Sequence, residues 1–435
     1  TETAGNAWSI LGNSGTTNAN FLGTTDAAPL RLKVNNTAAG IISSSNIVSL
    51  GYDGYNGTAT KVTAIGSEAL KSNTAENNTA VGHAALNRNT TGQYNTALGA
   101  NAGAGSANVT GNSNVFLGYQ SGYNIRGGSS NIAVGANTLY TNQSGNGNVA
   151  IGDSVLHNST STYNTAVGHA ALKSNTNAGA NAAFGAFALT SATSMSNTAV
   201  GYSSLRNTTS GGNNTATGTS ALEANTTGTD NTAIGYLSLS GNTTSSSNTA
   251  VGSYALKVST QPGNTAVGAY ALENNEGLRN TAMGYQAARG DGTMSGSYNV
   301  AVGYRPMFVN TTGTRNVAVG DSALAYNTTG NTNVAIGALA LKNNVTGTNN
   351  TAIGYNANVL ATDLQNTTVL GYNAKVNRSN SIILGDTANN DLNVGIGRNA
   401  PQAKLHVRAT TGNNPLILEG TPSGTAADSV LTINS

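Results

Sequence analysis

The apolar residues of this chain come in runs of two to four, each stopped by Asn, Gly or Thr, and the runs return at a fixed interval. Asn78-Thr79-Ala80-Val81-Gly82 leads through Ala85-Leu86 to Asn95-Thr96-Ala97-Leu98-Gly99. The phrase recurs about every 17 residues, in seventeen regular copies, as far as Asn350-Thr351-Ala352-Ile353-Gly354. Looser copies extend it to Gly51 and Gly66 on one side and to Gly371 and Gly385 on the other. A helix would need apolar residues three and four apart over several turns, and none of the runs offers that. A short fixed period predicts stacked copies of one small unit. The fold class expected is all-β, a repeat β-solenoid whose coil is two short strands and two turns.

Counting the Asn as position zero, position two is Ala in every regular copy but one, where Phe116 stands. Position three is Val, Ile, Leu, Met or Phe, and once Thr217; position four is Gly; position eight is Leu or Met in thirteen copies. Strand side chains alternate between faces, so positions one and three share one side and position two takes the other. The bulkier side is expected to be the core, with Val81, Leu86, Val134, Leu139, Ile234, Leu256, Ile336 and Leu341 inside. The alanines at 80, 97, 133, 150, 166, 233, 301 and 352 (Ala80, Ala97, Ala133, Ala150, Ala166, Ala233, Ala301, Ala352) then form an outer stripe of small residues. Such uniformity suggests close approach by another chain, and a homotrimer is expected on that ground.

The turn residues have their own mechanism. Asn78, Asn95, Asn131, Asn148, Asn231 and Asn350 suit unusual turn geometry, because Asn bonds nearby backbone and tolerates positive φ. Stacked one above another they can also pair as a ladder. The second turn often reads Asn-Thr-Thr-Gly, as at 89–92, 225–228, 310–313 and 327–330, and is expected to absorb differences in coil length. The coils spanning 100–117 and 285–302 are longer and are candidates for bulging loops.

Three regions follow. Residues 1–45 lie outside the repeat and are expected to form an N-terminal β cap or adaptor, with short strands near Trp8, at Phe21-Leu22-Gly23 and at Leu30–Val34, the last half-buried. Residues 46–387 are the repeat shaft of about 20 coils; residues 388–435 are a C-terminal β module, expected to be cut short at Ser435. At about 4.8 Å per coil, such a shaft would be a rod roughly 95 Å long. The chain opens Thr1-Glu2-Thr3 without Met or a signal-like segment, as expected of a trimmed product.

Composition narrows the function classes. Only 8% of residues are charged, net charge is +2 and there is no basic run, so nucleic acid and anionic membrane are not expected partners. There is no Cys, which removes disulfides and thiolate metal sites. No apolar run is long enough to span a membrane, and no membrane insertion is expected. His83, His157, His169 and His406 show no metal spacing. No phosphate loop or nucleophile elbow is present. The acids Asp153, Glu223, Glu273 and Asp321 are isolated, whereas a glycosidase needs two facing carboxylates. No catalytic, cofactor or metal site is expected, with a tailspike-type glycan hydrolase and an ice-binding solenoid kept as remote alternatives. Arg289-Gly290-Asp291 matches an integrin-binding tripeptide, which any charged Gly-rich turn can produce.

Tyr119, Tyr202, Tyr236, Tyr285, Tyr304, Tyr355 and Tyr372 recur just after the repeat glycine. They could grip a surface or stack on a glycan receptor, or simply cover the edge of the coil.

The phrase Asn-Thr-Ala-Val-Gly with an apolar position eight resembles the head repeat of trimeric autotransporter adhesins, and Asn380-Ser381-Ile382-Ile383-Leu384-Gly385 comes nearer still. The resemblance covers about three quarters of the chain and implies a left-handed parallel β-roll, three chains side by side, on a bacterial surface. The coils are longer than that family's, and no stalk is present. Val394-Gly395-Ile396-Gly397, then Pro401 and Lys404-Leu405-His406-Val407, look instead like phage tail-fibre segments that precede an intramolecular chaperone. The expected function is therefore an extracellular adhesive fibre without an active site, bacterial or on a virion.

Overall fold

The computed structural model describes residues 17, 21–55, 57–290, 292–388, 392–396 and 400–407. The strand expected near Trp8 and the part of the expected C-terminal module beyond residue 407 fall outside these residues. Leu30–Val34, Thr37–Ser43 and Ile47–Leu50 form an antiparallel meander. Ile47–Leu50 then pairs in parallel with Val62–Ile65, and every later addition to this sheet is parallel, out to Ile382–Leu384. The result is a parallel β-solenoid of about 20 turns and about 17 residues per turn, whose main sheet has 23 strands including the meander, with no helix among the described residues.

The N-terminal meander departs from expectation in two places. Residues 21–23 bend rather than extend. Leu30–Val34 pairs only with Thr37–Ser43, and Leu32 and Val34 remain 36% and 70% exposed instead of half-buried.

Each coil contributes one three-residue strand, in register with the strands above and below, such as Thr232↔Thr249, Ala233↔Ala250 and Ile234↔Val251. The second strand expected in every coil is present only locally, where Val258–Ser259 pairs with Asn274–Asn275 and Asn358–Val359 with Lys375–Val376. Elsewhere that side is a chain of turns, because positions six and eight take positive φ: Ala84 at 53° and Leu86 at 49°, Tyr254 at 59° and Leu256 at 47°. Left-handed residues curl the backbone instead of extending it. The coils still bond one another there, Leu86 N–H to the Ala102 carbonyl at 2.9 Å and Leu139 N–H to Val155 at 3.0 Å.

The core inverts the expected facing. Ala80, Ala97, Ala133, Ala150, Ala166, Ala233, Ala301 and Ala352 point into the coil and are at most 1% exposed. They are not an outer stripe. Of the residues expected inside, Leu86, Leu139, Leu256 and Leu341 at position eight are fully buried. Val81 and Val134 at position three are only half-buried, while Ile234 and Ile336 are 41% and 40% exposed. The reason is the width of the coil. Position eight sends a Leu inward from the opposite wall, with Ala or Ser beside it at position seven in most coils, as Ala85, Ala171, Ser204 and Ala340 show. A cross-section holding one Leu leaves room for only a methyl group at position two. The alanines are uniform because they face leucines.

Two asparagine ladders close the turns. The position-zero asparagines are buried, and each backbone N–H donates to the Oδ1 of the Asn one coil earlier: Asn95 to Asn78 at 2.9 Å, Asn148 to Asn131 at 3.0 Å, Asn350 to Asn333 at 3.0 Å. Most of the amide nitrogens also reach a second-turn carbonyl, as Asn78 does to Gly92 and Asn231 to Ser245. Asn248 keeps its backbone rung, but its amide nitrogen has no acceptor. The ladder tolerates steps of 16, 17 and 19 residues. A second ladder runs through the Asn of the second turn, where Asn344 donates to Asn327 and Asn327 to Asn310, each at 3.0 Å. The sequence reading missed it, taking that turn as the place where length varies. In the two longer coils Val109 and Met294 sit buried against Asn89 and Asn275 instead, so the extra residues return to the stack.

Candidate functional site

With one sheet closed by turns, the coil presents two outer faces of different chemistry. The first is the outward side of the long sheet. Thr, Val or Ile at position one (Ala182 in one coil) and a large apolar residue at position three (Thr217 in one coil) lie on it in register, coil after coil. Leu98 is 49% exposed, Leu117 40%, Phe184 42%, Met283 46% and Ile353 43%. A strand of three residues can hide only its middle side chain, so the flanking two must face out. The consequence is a narrow apolar ribbon running the length of the shaft, without a charged side chain on its position-three column from Val81 to Ile353.

The glycine at position four turns the chain off this ribbon. Its φ is 133° at Gly235, and a Cβ there would stand 2.5 Å from the Gly252 carbonyl oxygen of the next coil. Only glycine allows the coils to approach so closely at that corner.

Just past the corner run the tyrosines. Tyr119, Tyr202, Tyr236, Tyr285, Tyr304, Tyr355 and Tyr372 are all exposed. Most of them also touch a neighbouring ring. Tyr236, Tyr254, Tyr270, Tyr285 and Tyr304 make one continuous run, with successive centroids 5.3, 5.1, 6.1 and 5.7 Å apart. Phe187 joins His169 to Tyr202, and Tyr355 stacks on Tyr372. A coil rise near 4.8 Å is close to the stacking distance of rings, so repetition alone builds the row. Burial, and then the hydrogen bond with Tyr236, hold the Tyr254 hydroxyl above the usual phenol range. A second row, Tyr123, Tyr140 and His157, stacks at 5.2 and 4.9 Å.

The turn-side face, at positions six, nine and ten, interleaves these rings with cations. Arg206 lies over Phe187, Lys257 over Tyr254, Arg289 over Tyr270, Arg305 over Phe308 and Lys342 over Tyr326. Charge is sparse in the chain as a whole, but the repeat collects part of it on one face. The linear order hides this, because the residues are a coil apart.

Three of the isolated acids have separate partners of their own. Asp153 meets His169 at 3.3 Å, Glu273 takes Arg289 at 2.7 Å, and Asp321 accepts from the Ser322 hydroxyl at 2.6 Å. Among the described residues no group of three or more His, Cys, Asp and Glu comes together. Arg289 of the Arg-Gly-Asp tripeptide is held in that ion pair, and Asp291 lies outside the described residues. His83 is exposed in its turn; the side chain of His406 lies outside the described residues. Among those residues no helix is long and apolar enough to cross a membrane.

No protein-family model matches this sequence, and a search of curated proteins finds no match.

Proposed function

We propose that the chain is the shaft of an extracellular homotrimeric fibre, a left-handed β-roll, that attaches a cell or a virion to a surface and carries no active site. The observation that supports this best is the apolar ribbon. Contiguous exposed apolar patches beyond a few hundred Å² mark interaction surfaces. This ribbon runs along a stack of about 20 coils, with one large apolar side chain roughly every 4.8 Å except at Thr217. Closed oligomers bury such a face by symmetry, and parallel copies match it coil for coil. Three is the number that the likeness to adhesin head repeats implies. A rod of that kind presents its turn-side faces outward, many times over, which suits weak multivalent contact.

The mass in solution tests the assembly. Light scattering should give three times the 43.5 kDa chain mass, and electron micrographs should show straight rods. A well-folded monomer at micromolar concentration would remove the assembly and the attachment role with it. A dimer would keep the buried ribbon and remove the three-fold arrangement.

A second reading, a tail fibre, rests on the likeness of the C-terminal phrase from Val394 to Val407 to tail-fibre segments. Val394–Ile396 and Leu405–Val407 pair in parallel with each other, outside the main sheet. In this reading the shaft is the same and only the anchorage differs.

A further inference from the structure

Position nine is one column of the turn-side face. Around the fifteenth copy of the repeat it reads Arg289, Phe308, Ala325 and Lys342 in successive coils. The single small residue leaves a gap among long ones. Arg305, Phe308, Ser322, Ala325, Tyr326 and Lys342 line a cavity there of about 150 Å³.

The chemistry of the lining is specific. The Arg305 guanidinium lies 3.9 Å from the centre of the Phe308 ring, and the Lys342 ammonium 5.4 Å from that of Tyr326. Both cations are half-buried. Among the described residues neither has a carboxylate within ion-pair distance, unlike Arg289, which holds Glu273. The acid nearest in sequence, Asp321, accepts from the Ser322 hydroxyl and makes no ion pair with either cation. Two half-buried cations propped by aromatic faces are thus left without an anion. A guanidinium offers a planar fork that matches carboxylate or sulfate, and an ammonium adds a second donor set. Tyr326 is 49% exposed at the mouth, with an amphipathic ring that suits the apolar face of a sugar.

We propose that this cavity is a binding site for an acidic saccharide unit. Its carboxylate or sulfate lies between Arg305 and Lys342, and its ring rests against Tyr326. The anion site stands on the geometry alone; its assignment to a saccharide rests on the attachment reading above. A trimer would display the site three times around the shaft.

The test titrates the full chain with a uronate disaccharide, a sulfated disaccharide, a neutral disaccharide and inorganic sulfate, followed by calorimetry or tyrosine fluorescence. At least one acidic disaccharide should bind at least tenfold more tightly than both the neutral sugar and sulfate. Arg305→Met and Lys342→Met keep the stems and remove the charges, and each should weaken that binding at least tenfold. Ala325→Leu fills the cavity with both charges in place and should abolish it. Unchanged thermal melting of the three variants would show that the fold is intact. Acidic binding that survives all three variants overturns the proposal, as does sulfate binding equal to that of the sugars. A fibre that fails to hold cells, while Ala325→Leu still abolishes disaccharide binding, would remove the attachment reading and leave the site. A fibre that holds cells but binds no acidic disaccharide would do the reverse.

Discussion

Phe116 fills the space left by Gly122. Phe116 replaces Ala at position two and is 1% exposed, while Gly122, at position eight of the same coil, replaces the usual Leu. A Cβ on Gly122 would overlap the ring, and one on Gly103, at position eight of the coil before, would stand 2.7 Å from it. Size is conserved across the coil, with two small residues on one wall admitting one large residue on the other. Phe116→Ala alone should therefore open a cavity and cost about 3–5 kcal/mol. Gly122→Leu alone should be as damaging through overlap. Phe116→Ala with Gly103→Leu and Gly122→Leu returns both coils to the common pattern and should recover most of the loss. Chemical denaturation of the variants measures the coupling; simple additivity would contradict the packing described.

The asparagine ladder makes a different prediction. Asn231 takes the Asn248 N–H on its Oδ1 at 3.0 Å and donates to the Ser245 carbonyl at 2.9 Å. Asn231→Ala leaves the Asn248 N–H buried without its acceptor, at about 1–3 kcal/mol, while the Ser245 carbonyl keeps the bond from Asn242. Asn231→Asp keeps the acceptor and loses the donor. Burial raises the pKa of a carboxyl group, so the folded state binds its proton more tightly than the unfolded state does. The variant should then be closest to the parent at low pH and lose stability as pH rises past the ordinary carboxylate range. Melting temperatures between pH 3 and 7 that stay level with the parent would contradict a buried, hydrogen-bonded rung.

Gly235→Ala probes the corner between the faces. A φ of 133° and a Cβ 2.5 Å from the Gly252 oxygen leave no unstrained solution. Backbone strain of about 1–3 kcal/mol adds to a similar overpacking term. The coils on either side should part locally, and limited proteolysis should cut near residue 235 in the variant and not in the parent.

The coil, its length and its glycine corner were legible because periodicity reports spacing directly. The facing was not, and the failure has a physical origin. Hydrophobicity alone places Val81 and Ile234 inside and Ala80 and Ala233 outside. That rule assumes a core wide enough for large side chains from both walls. Here the leucine at position eight already fills the width. The signal was present in the sequence: where position two grows to Phe116, position eight shrinks at Gly103 and Gly122, so the two columns must face each other. The second asparagine ladder was hidden by turn chemistry, since Asn at 310 and 327 is explained equally well by a turn that never stacks. The cavity at Ala325 could not be read from the linear order, because its lining comes from three coils and its cations are 37 residues apart.

Adjacent residues Ala233 and Ile234 now separate folding from assembly. Ala233 is fully buried within the coil and Ile234 is 41% exposed on the ribbon. Ala233→Asp should unfold the surrounding coils whatever the oligomeric state, since it puts an unpaired charge into a core one methyl wide. Ile234→Glu touches no core and should leave the circular dichroism of the coil unchanged at low protein concentration. Its effect should fall on association. A glutamate on each ribbon loses the burial of one isoleucine, and like charges from neighbouring copies meet at the same height along the fibre. Each ribbon substitution should raise the dissociation constant by at least tenfold, or about 1.4 kcal/mol, and Ile234→Glu combined with Ile336→Glu and Ile353→Glu should give monomers by sedimentation velocity. An assembly that survives the triple substitution with its mass unchanged would show that the ribbon is not where the copies meet.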